Sequence, residues 1–496
     1  MNGLEGSGVS QCVDALRSVN FLRSLALFIA LAVALPLAAQ PLTPAPEPPG
    51  SGSVEGRFST GLSAAKLAED WYLLASPSFV LTVPDLTLAR GGELFERDQT
   101  HDLRLRFSVP LRFRVQDNEP VDGGGAFRRE DWDEAAEYLR VIRGVEYGTP
   151  YDGVFFRGGE LTDVRIRHRT IVDGYENVLD LDHFQWGLQS SVNTHYGGGE
   201  LLLDNVADPE LMGLRLYARP AAFADRTSPW SRFALGWSLV GDRAAPRALR
   251  ASATGSYEVN ADGNFIEDAS GTTGIMGFDA EYTVPAGERV RLTPYMDANV
   301  HLGSGSGWHV GAFLGWQIAP DVVMDLRAEY RLLGEGYLPS YFGPLYEVER
   351  LSFLPVEGSP VRAPKRTWLD LTYLGRRSGY LGELGFNIRN RLYLSGTWED
   401  ARGPNNNAAW IAVRVPAWSI VQFGARWVNT RFNGARGLFD PENALATAEA
   451  RVLITPWLYV EGQANRRWAL TEQGSARGDY TPVDDFALGA GVTFGF

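Results

Sequence analysis

The stretch Leu103-Arg104-Leu105-Arg106-Phe107-Ser108-Val109-Pro110-Leu111-Arg112-Phe113-Arg114-Val115 puts an apolar residue at every odd position and four arginines among the even ones. A period of two is the signature of a β-strand with two unlike faces. A soluble sandwich and a sheet with lipid on one side and water on the other would both show this stripe. One strand does not separate them.

The repetition does. Phe184, Trp186, Leu188 and Val192 alternate with Gln185, Gln189 and Asn193. Val290, Leu292, Met296, Ala298 and Val300 alternate with Arg289, Arg291, Asp297 and Asn299, and Met324 to Leu332 alternates with Asp325, Arg327, Glu329 and Arg331. Leu458, Val460 and Ala464 do the same against Glu461, Gln463 and Asn465. A soluble β-protein of 496 residues would need continuous apolar runs for its doubly buried strands. Here nearly every segment keeps a charged face, as a barrel with a polar lumen requires.

Connections follow the same logic. Short turns at Pro285–Glu288, Ala319–Asp321, Pro416-Ala417 and Thr455-Pro456 alternate with long polar stretches at Arg243–Thr272, Gly334–Lys365, Ala401–Asn407, Thr430–Glu442 and Thr471–Pro482. The long set, above all Arg243–Thr272 and Gly334–Lys365, is expected on the cell surface. Residues 131–143 (DWDEAAEYLRVIR) break the pattern and predict a short amphipathic helix, either a patch in a loop or an element narrowing the lumen.

At the N-terminus, Arg17 and Arg23 precede the uncharged Leu25–Ala39, which ends in Pro-Leu-Ala-Ala-Gln. The pattern predicts a secretory signal over residues 1–39, too short for a spanning helix. The only cysteine, Cys12, would leave with it, so neither disulfides nor a thiolate metal site are expected in the exported chain. Residues 40–70, opening with PLTPAPEPPGSGS, read as a Pro/Gly-rich linker. The barrel is expected over 71–496.

The C-terminal segment sets Phe486, Leu488, Ala490, Val492, Phe494 and Phe496 against Ala487, Gly489, Gly491, Thr493 and Gly495. It resembles the closing strand of bacterial outer-membrane β-barrels, which their assembly machinery reads. The resemblance covers roughly residues 71 to 496 and implies a transmembrane, antiparallel, up-and-down all-β barrel in outer-membrane lipid. Counting strands back from Phe496 leads to about sixteen, with fourteen to eighteen open, and a wall that size leaves room for water.

A net charge of −14 argues against nucleic acid. No cofactor is expected. Asp180 and Asp182 are a weak calcium pair, and His101, His168, His183, His195, His301 and His309 fit no nameable catalytic motif, so they read as lumen or loop residues. Too few residues precede the first clear strand for the globular plug of an energy-coupled receptor. Arginines outnumber acids on the polar faces. Arg104, Arg106, Arg112 and Arg114, with Arg289 and Arg291, are the expected pore-lining set, as braces paired with carboxylates or as an anion-favouring constriction. The reading is therefore a porin-like channel for small hydrophilic solutes, as a single barrel or a homo-oligomer. An outer-membrane enzyme acting on lipid or peptide, or a filled barrel with surface-binding loops, are its rivals.

Overall fold

Alternation along each strand closes into a single ring. The computed structural model describes residues 54–495 except 68–69, 117–125, 129–131, 133–136, 178–184, 251–265, 351–353, 356–361, 370–374, 404–405, 419, 440–443 and 471–479. The expected signal, Cys12 and Phe496 lie outside the described residues. Strands β1 (Glu55–Leu67), β2 (Asp70–Ala75 with Ser78–Ala89) and β3 (Gln99–Ser108 with Leu111–Gln116) are followed by β4 (Ile142–Tyr147) and β5 (Val154–Gly159). Next come β6 (Gly187–Asn193), β7 (Gly197–Leu203), β8 (Leu211–Ala218), β9 (Phe233–Leu249) and β10 (Glu267–Tyr282 with Val284–Pro285). The second half holds β11 (Val290–His301), β12 (Ser306–Ala319), β13 (Val322–Leu333), β14 (Arg377–Ile388) and β15 (Leu392–Ala401). The last are β16 (Asn407–Trp418), β17 (Val421–Phe432), β18 (Ala444–Leu453), β19 (Leu458–Leu470) and β20 (Tyr480–Gly495). Each pairs antiparallel with the next, and β20 pairs with β1 from Arg57↔Gly495 to Lys66↔Phe486, which leaves no open edge.

The strand number is twenty, not the expected sixteen or the wider fourteen to eighteen. The missed strands have weak alternation for identifiable reasons. β1 lies in the stretch assigned to the linker; beyond Glu55 and Arg57 its inward face is Ser59, Gly61, Ser63 and Ala65, with no charge to set against Leu62. That boundary is corrected to about residue 55. β4 and β5 have six residues each and are interrupted by Gly144, Gly158 and Gly159. Of the helix expected over 131–143, residues 131 and 133–136 lie outside the described residues; Glu137–Val141 forms a 3-10 turn, and Ile142 starts β4 and pairs with Phe107.

Faces sort as the alternation demands. Leu326, Tyr330 and Leu332 are exposed on the outside of β13, while Arg327, Glu329 and Arg331 between them are buried inside. Met296 and Val300 point out from β11, and Thr293, Tyr295, Asp297 and Asn299 point in. An apolar exterior over a polar interior is stable only where the exterior meets hydrocarbon. Both ends of the ring meet at one rim. Under the outer-membrane arrangement this is the periplasmic rim, and it carries the short turns 320–321 and 389–391.

The lumen constriction as candidate functional site

The connection from β5 to β6 does not stay outside the ring. Val164-Arg165 pairs with Asp173–Tyr175 to make a small hairpin, whose tip carries Arg167, His168, Arg169 and Thr170. Arg167 and Arg169 adopt positive φ values of 32° and 66°, and the Arg169 N–H donates to the Ile166 carbonyl at 2.9 Å, which tightens the turn. Ile166, Ile171 and Val172 are buried against Leu202, Leu211, Val240 and Ile275 of the wall. Each fully buried side chain of this kind contributes roughly 1.5–3 kcal/mol, so the hairpin is drawn into the lumen by its apolar residues. The wall leaves space for them. A side chain on Gly213 would strike Ile166, and one on Gly277 would strike Ile171.

Polar clamps then fix the tip. His168 Nδ1 lies 2.6 Å from Asp297 Oδ1 and its Nε2 2.8 Å from Glu281 Oε2, with the ring stacked 4.3 Å from Tyr295. Burial opposes the charged ring, but Asp297 and Glu281 outweigh it and raise the histidine above its ordinary value. Thr170 Oγ1 donates to Asp297 Oδ2 at 2.6 Å, and Arg169 Nη1 bonds both oxygens of Glu383 on β14. Asp173 accepts from Arg327 at 2.8 Å, and Glu176 forms a two-pronged pair with Arg426 on β17. A segment leaving β5 therefore reaches β10, β11, β13, β14 and β17, and crosses the bore.

A second insertion holds the first. The stretch Gly334–Lys365 was expected on the cell surface, but Tyr337, Tyr341, Phe342 and Tyr346 are buried inside the ring with the hairpin. The reason is again apolar: four aromatics in ten residues have no partner outside. Backbone bonds join the two insertions, from Ser340 N to Thr170 O, Phe342 N to Ile171 O and Asp173 N to Phe342 O. Lys365, paired with Glu349, sits among the rings of Tyr341, Tyr346 and Trp368. Arg243–Thr272, the other expected surface stretch, belongs to β9 and β10 at both its ends, and 251–265 lies outside the described residues.

The arginines expected to line the pore separate into two places. Arg104, Arg106, Arg112 and Arg114 share the inward face of β3, where Arg106 lies 3.7 Å from Glu146, Arg112 is buried, and Arg114 Nε donates to Tyr72 Oη. Arg289 and Arg291 are eight strands away at the periplasmic start of β11, with Arg291 over the Tyr151 ring. The hairpin tip was not singled out. Its only sequence signal is the run Arg165, Arg167, Arg169 around a histidine, which has the period of a strand and gives no hint of its acidic partners far along the chain. Asp180, Asp182 and His183 lie outside the described residues, and among the described residues no three acidic, histidine or cysteine side chains are grouped to hold a metal.

A closed ring, apolar outside and clamped by ion pairs within, decides the class. The chain is an outer-membrane β-barrel.

No protein-family model matches the sequence, and no curated protein matches it. Solved structures with a similar course include OpdQ of Pseudomonas aeruginosa, at 8% identity and TM-score 0.32, over 89% of this chain and 98% of that one. OccK5 (OpdH) of the same organism is similar at 8% and 0.32, over 90% and 98%. The ferric enterobactin receptor PfeA, also from that organism, is similar at 11% and 0.34, over 90% of this barrel and 82% of that chain. At these TM-scores the likeness carries no argument about this chain.

Proposed function

We propose that this barrel is a passive channel for small hydrophilic solutes, with its bore set by the crossing hairpin. One observation carries the reading: a ring of twenty strands is wide enough for water, and the described segments crossing it are connections of the wall itself. On the side away from the buried tip, Asp163 and Arg165 of the hairpin and Arg414 of the wall keep access to water. Anion preference is the finer part. It is supported by the number of arginines carried together on β3 to β5, Arg104, Arg106, Arg112, Arg143 and Arg157, where Arg106 lies near Glu146 and Arg143 pairs with Glu160.

Ion conductance of the purified barrel in a planar bilayer tests the channel. Replacing Arg104, Arg106, Arg112 and Arg114 with Gln should move the reversal potential in a salt gradient toward cations. An unmoved potential would make the four arginines braces of the wall. A second reading, a filled barrel presenting surface loops, is favoured by the complete burial of Phe342 and Tyr346 between the insertions, and absent conductance would select it. Residues 1–39 are proposed as a cleaved export signal, which N-terminal sequencing of the mature chain checks. Recognition by the assembly machinery and homo-oligomerisation remain parts of the same proposal.

A further inference from the structure

Guanidinium groups in the upper lumen are matched. Arg215 bonds Glu200 and Asp279, Arg327 bonds Glu329 and Asp173, and Arg331 lies against Glu329 and Glu399. The periplasmic mouth is different. A cleft of about 440 Å³ opens there, lined by Arg232, Arg289, Arg291, Gln317, Glu288 and Asp325 among others. Among the described residues, none of Arg232, Arg289 and Arg291 has a carboxylate within 4.0 Å; Arg291 lies under the Tyr151 ring, with Asp325 near enough to act on it electrostatically.

We propose that this cleft is a binding station for a small oxyanionic solute, a carboxylate or phosphate monoester, held by Arg232, Arg289 and Arg291. The register supplies the geometry. Arg232 precedes β9 on its inward parity, and Thr283 beside it donates its N–H to the Arg232 carbonyl. Arg289 and Arg291 share the inward face of β11, opposite Gln317 and Gly315 of β12. Adjacent strands lie about 4.8 Å apart, so three long side chains from β9 and β11 can converge on one anion. Space is kept open for it. An added Cβ on Gly287 would meet nothing within 4 Å, and one on Gly315 would meet only Asp325 Oδ1 at 3.4 Å.

Wall bracing does not account for the group. Like charges on neighbouring sheet positions repel, and the three guanidinium groups outnumber the two carboxylates of the cleft, Glu288 and Asp325. Arginine's planar fork of donors matches a carboxylate or phosphate with two parallel bonds, so an oxyanion relieves that repulsion and an organic cation worsens it. The station rests on the channel reading only for its supply of solute, since the cleft also opens to the periplasm.

Calorimetric titration of the folded, detergent-solubilised barrel with succinate and with inorganic phosphate tests it, with putrescine as the cationic control. Wild type should bind both anions saturably, more weakly at high salt, and should not bind putrescine. Arg289→Gln and the triple Arg232→Gln/Arg289→Gln/Arg291→Gln should weaken binding stepwise, the triple by roughly tenfold or more. Asp325→Asn should tighten it. Circular dichroism shows that each variant is folded. Absence of saturable anion binding, or affinity unchanged in the triple variant, overturns the proposal. Conductance is read separately. A barrel that conducts and does not bind loses the station but keeps the channel; one that binds and does not conduct keeps the station and loses the channel.

Discussion

Arg169, at the tip of a hairpin that leaves β5, holds Glu383 on β14 with both carboxylate oxygens 2.6 Å from one guanidinium nitrogen. The two residues are 214 positions apart in the chain and stand on different walls of one lumen. Their pairing, with Glu176–Arg426, ties a connection to the far side of the bore. Cutting such a tie should widen the passage without opening the ring.

Arg169→Gln should therefore raise conductance and its flickering. Breaking a largely buried pair costs about 3 kcal/mol when the partner is left charged, enough to populate a displaced hairpin. The charge exchange Arg169→Glu/Glu383→Arg should return conductance toward wild type. Single-channel recording measures both, and a conductance that stays at the wild-type value would mean that the apolar residues alone hold the hairpin.

A steric route to the same state avoids charge. A Cβ on Gly277 would lie 2.9 Å from Ile171 Cδ1 and 2.5 Å from Asn299 Oδ1. Gly277→Val should push the tip from its seat while the ladder of β10 persists. Limited proteolysis should then cut near residues 165–172, where wild type resists.

His168 makes the clamp depend on pH. It is raised above its ordinary value of 6.5 in the folded chain, against its burial, by Asp297 and Glu281. A raised histidine contributes its full stabilisation below the ordinary value, and that contribution is lost as pH climbs through the raised one. Conductance should thus be steady at neutral pH and rise on the alkaline side. His168→Asn should remove that rise and conduct at the high level throughout.

The lipid face and the lumen face should respond differently to substitution at adjacent positions. Leu326→Arg places a charge in hydrocarbon and should cost roughly 2 to 4 kcal/mol, seen as reduced folding yield into vesicles. Arg327→Leu would be mild if Arg327 merely faced water. It lies instead against Glu329, Asp173 and Tyr295, so its loss leaves Asp173 with only Arg165 at 3.8 Å and takes one cation from Glu329, and should cost about 3 kcal/mol. Folding yields of the two variants within a factor of a few of each other would fit the buried pairing; a robust Arg327→Leu barrel would not.

Asp204, in the turn after β7, offers the opposite sign. Burial pushes its carboxyl up to about 7, and its Oδ2 has no hydrogen-bond partner among the described residues. The folded chain thus keeps a proton that the unfolded chain gives up near 4, so stability falls as pH rises between these values. Asp204→Asn should raise the melting temperature at pH 8 and leave it nearly unchanged at acid pH.

The amino-acid sequence by itself determined the class of this protein. Alternation is a local property, with each apolar residue declaring its face two positions from the next, so Leu103–Val115 and Met324–Leu332 each announce a two-faced strand without any partner, and the repetition along the chain announces a lipid-facing wall. Where that local signal is diluted, as in the small inward face of β1 or the glycine-broken β4 and β5, strands went uncounted and the ring looked four strands smaller. The constriction lay beyond local reading altogether. Whether Arg169, His168 and Tyr337 face solvent or the bore depends on Glu383, Glu281, Asp297 and Asn299, which lie 38 to 214 residues away and meet them only after the ring has closed. An ion pair across a lumen is written in no stretch of sequence, because closure of the barrel, not chain proximity, brings its halves together.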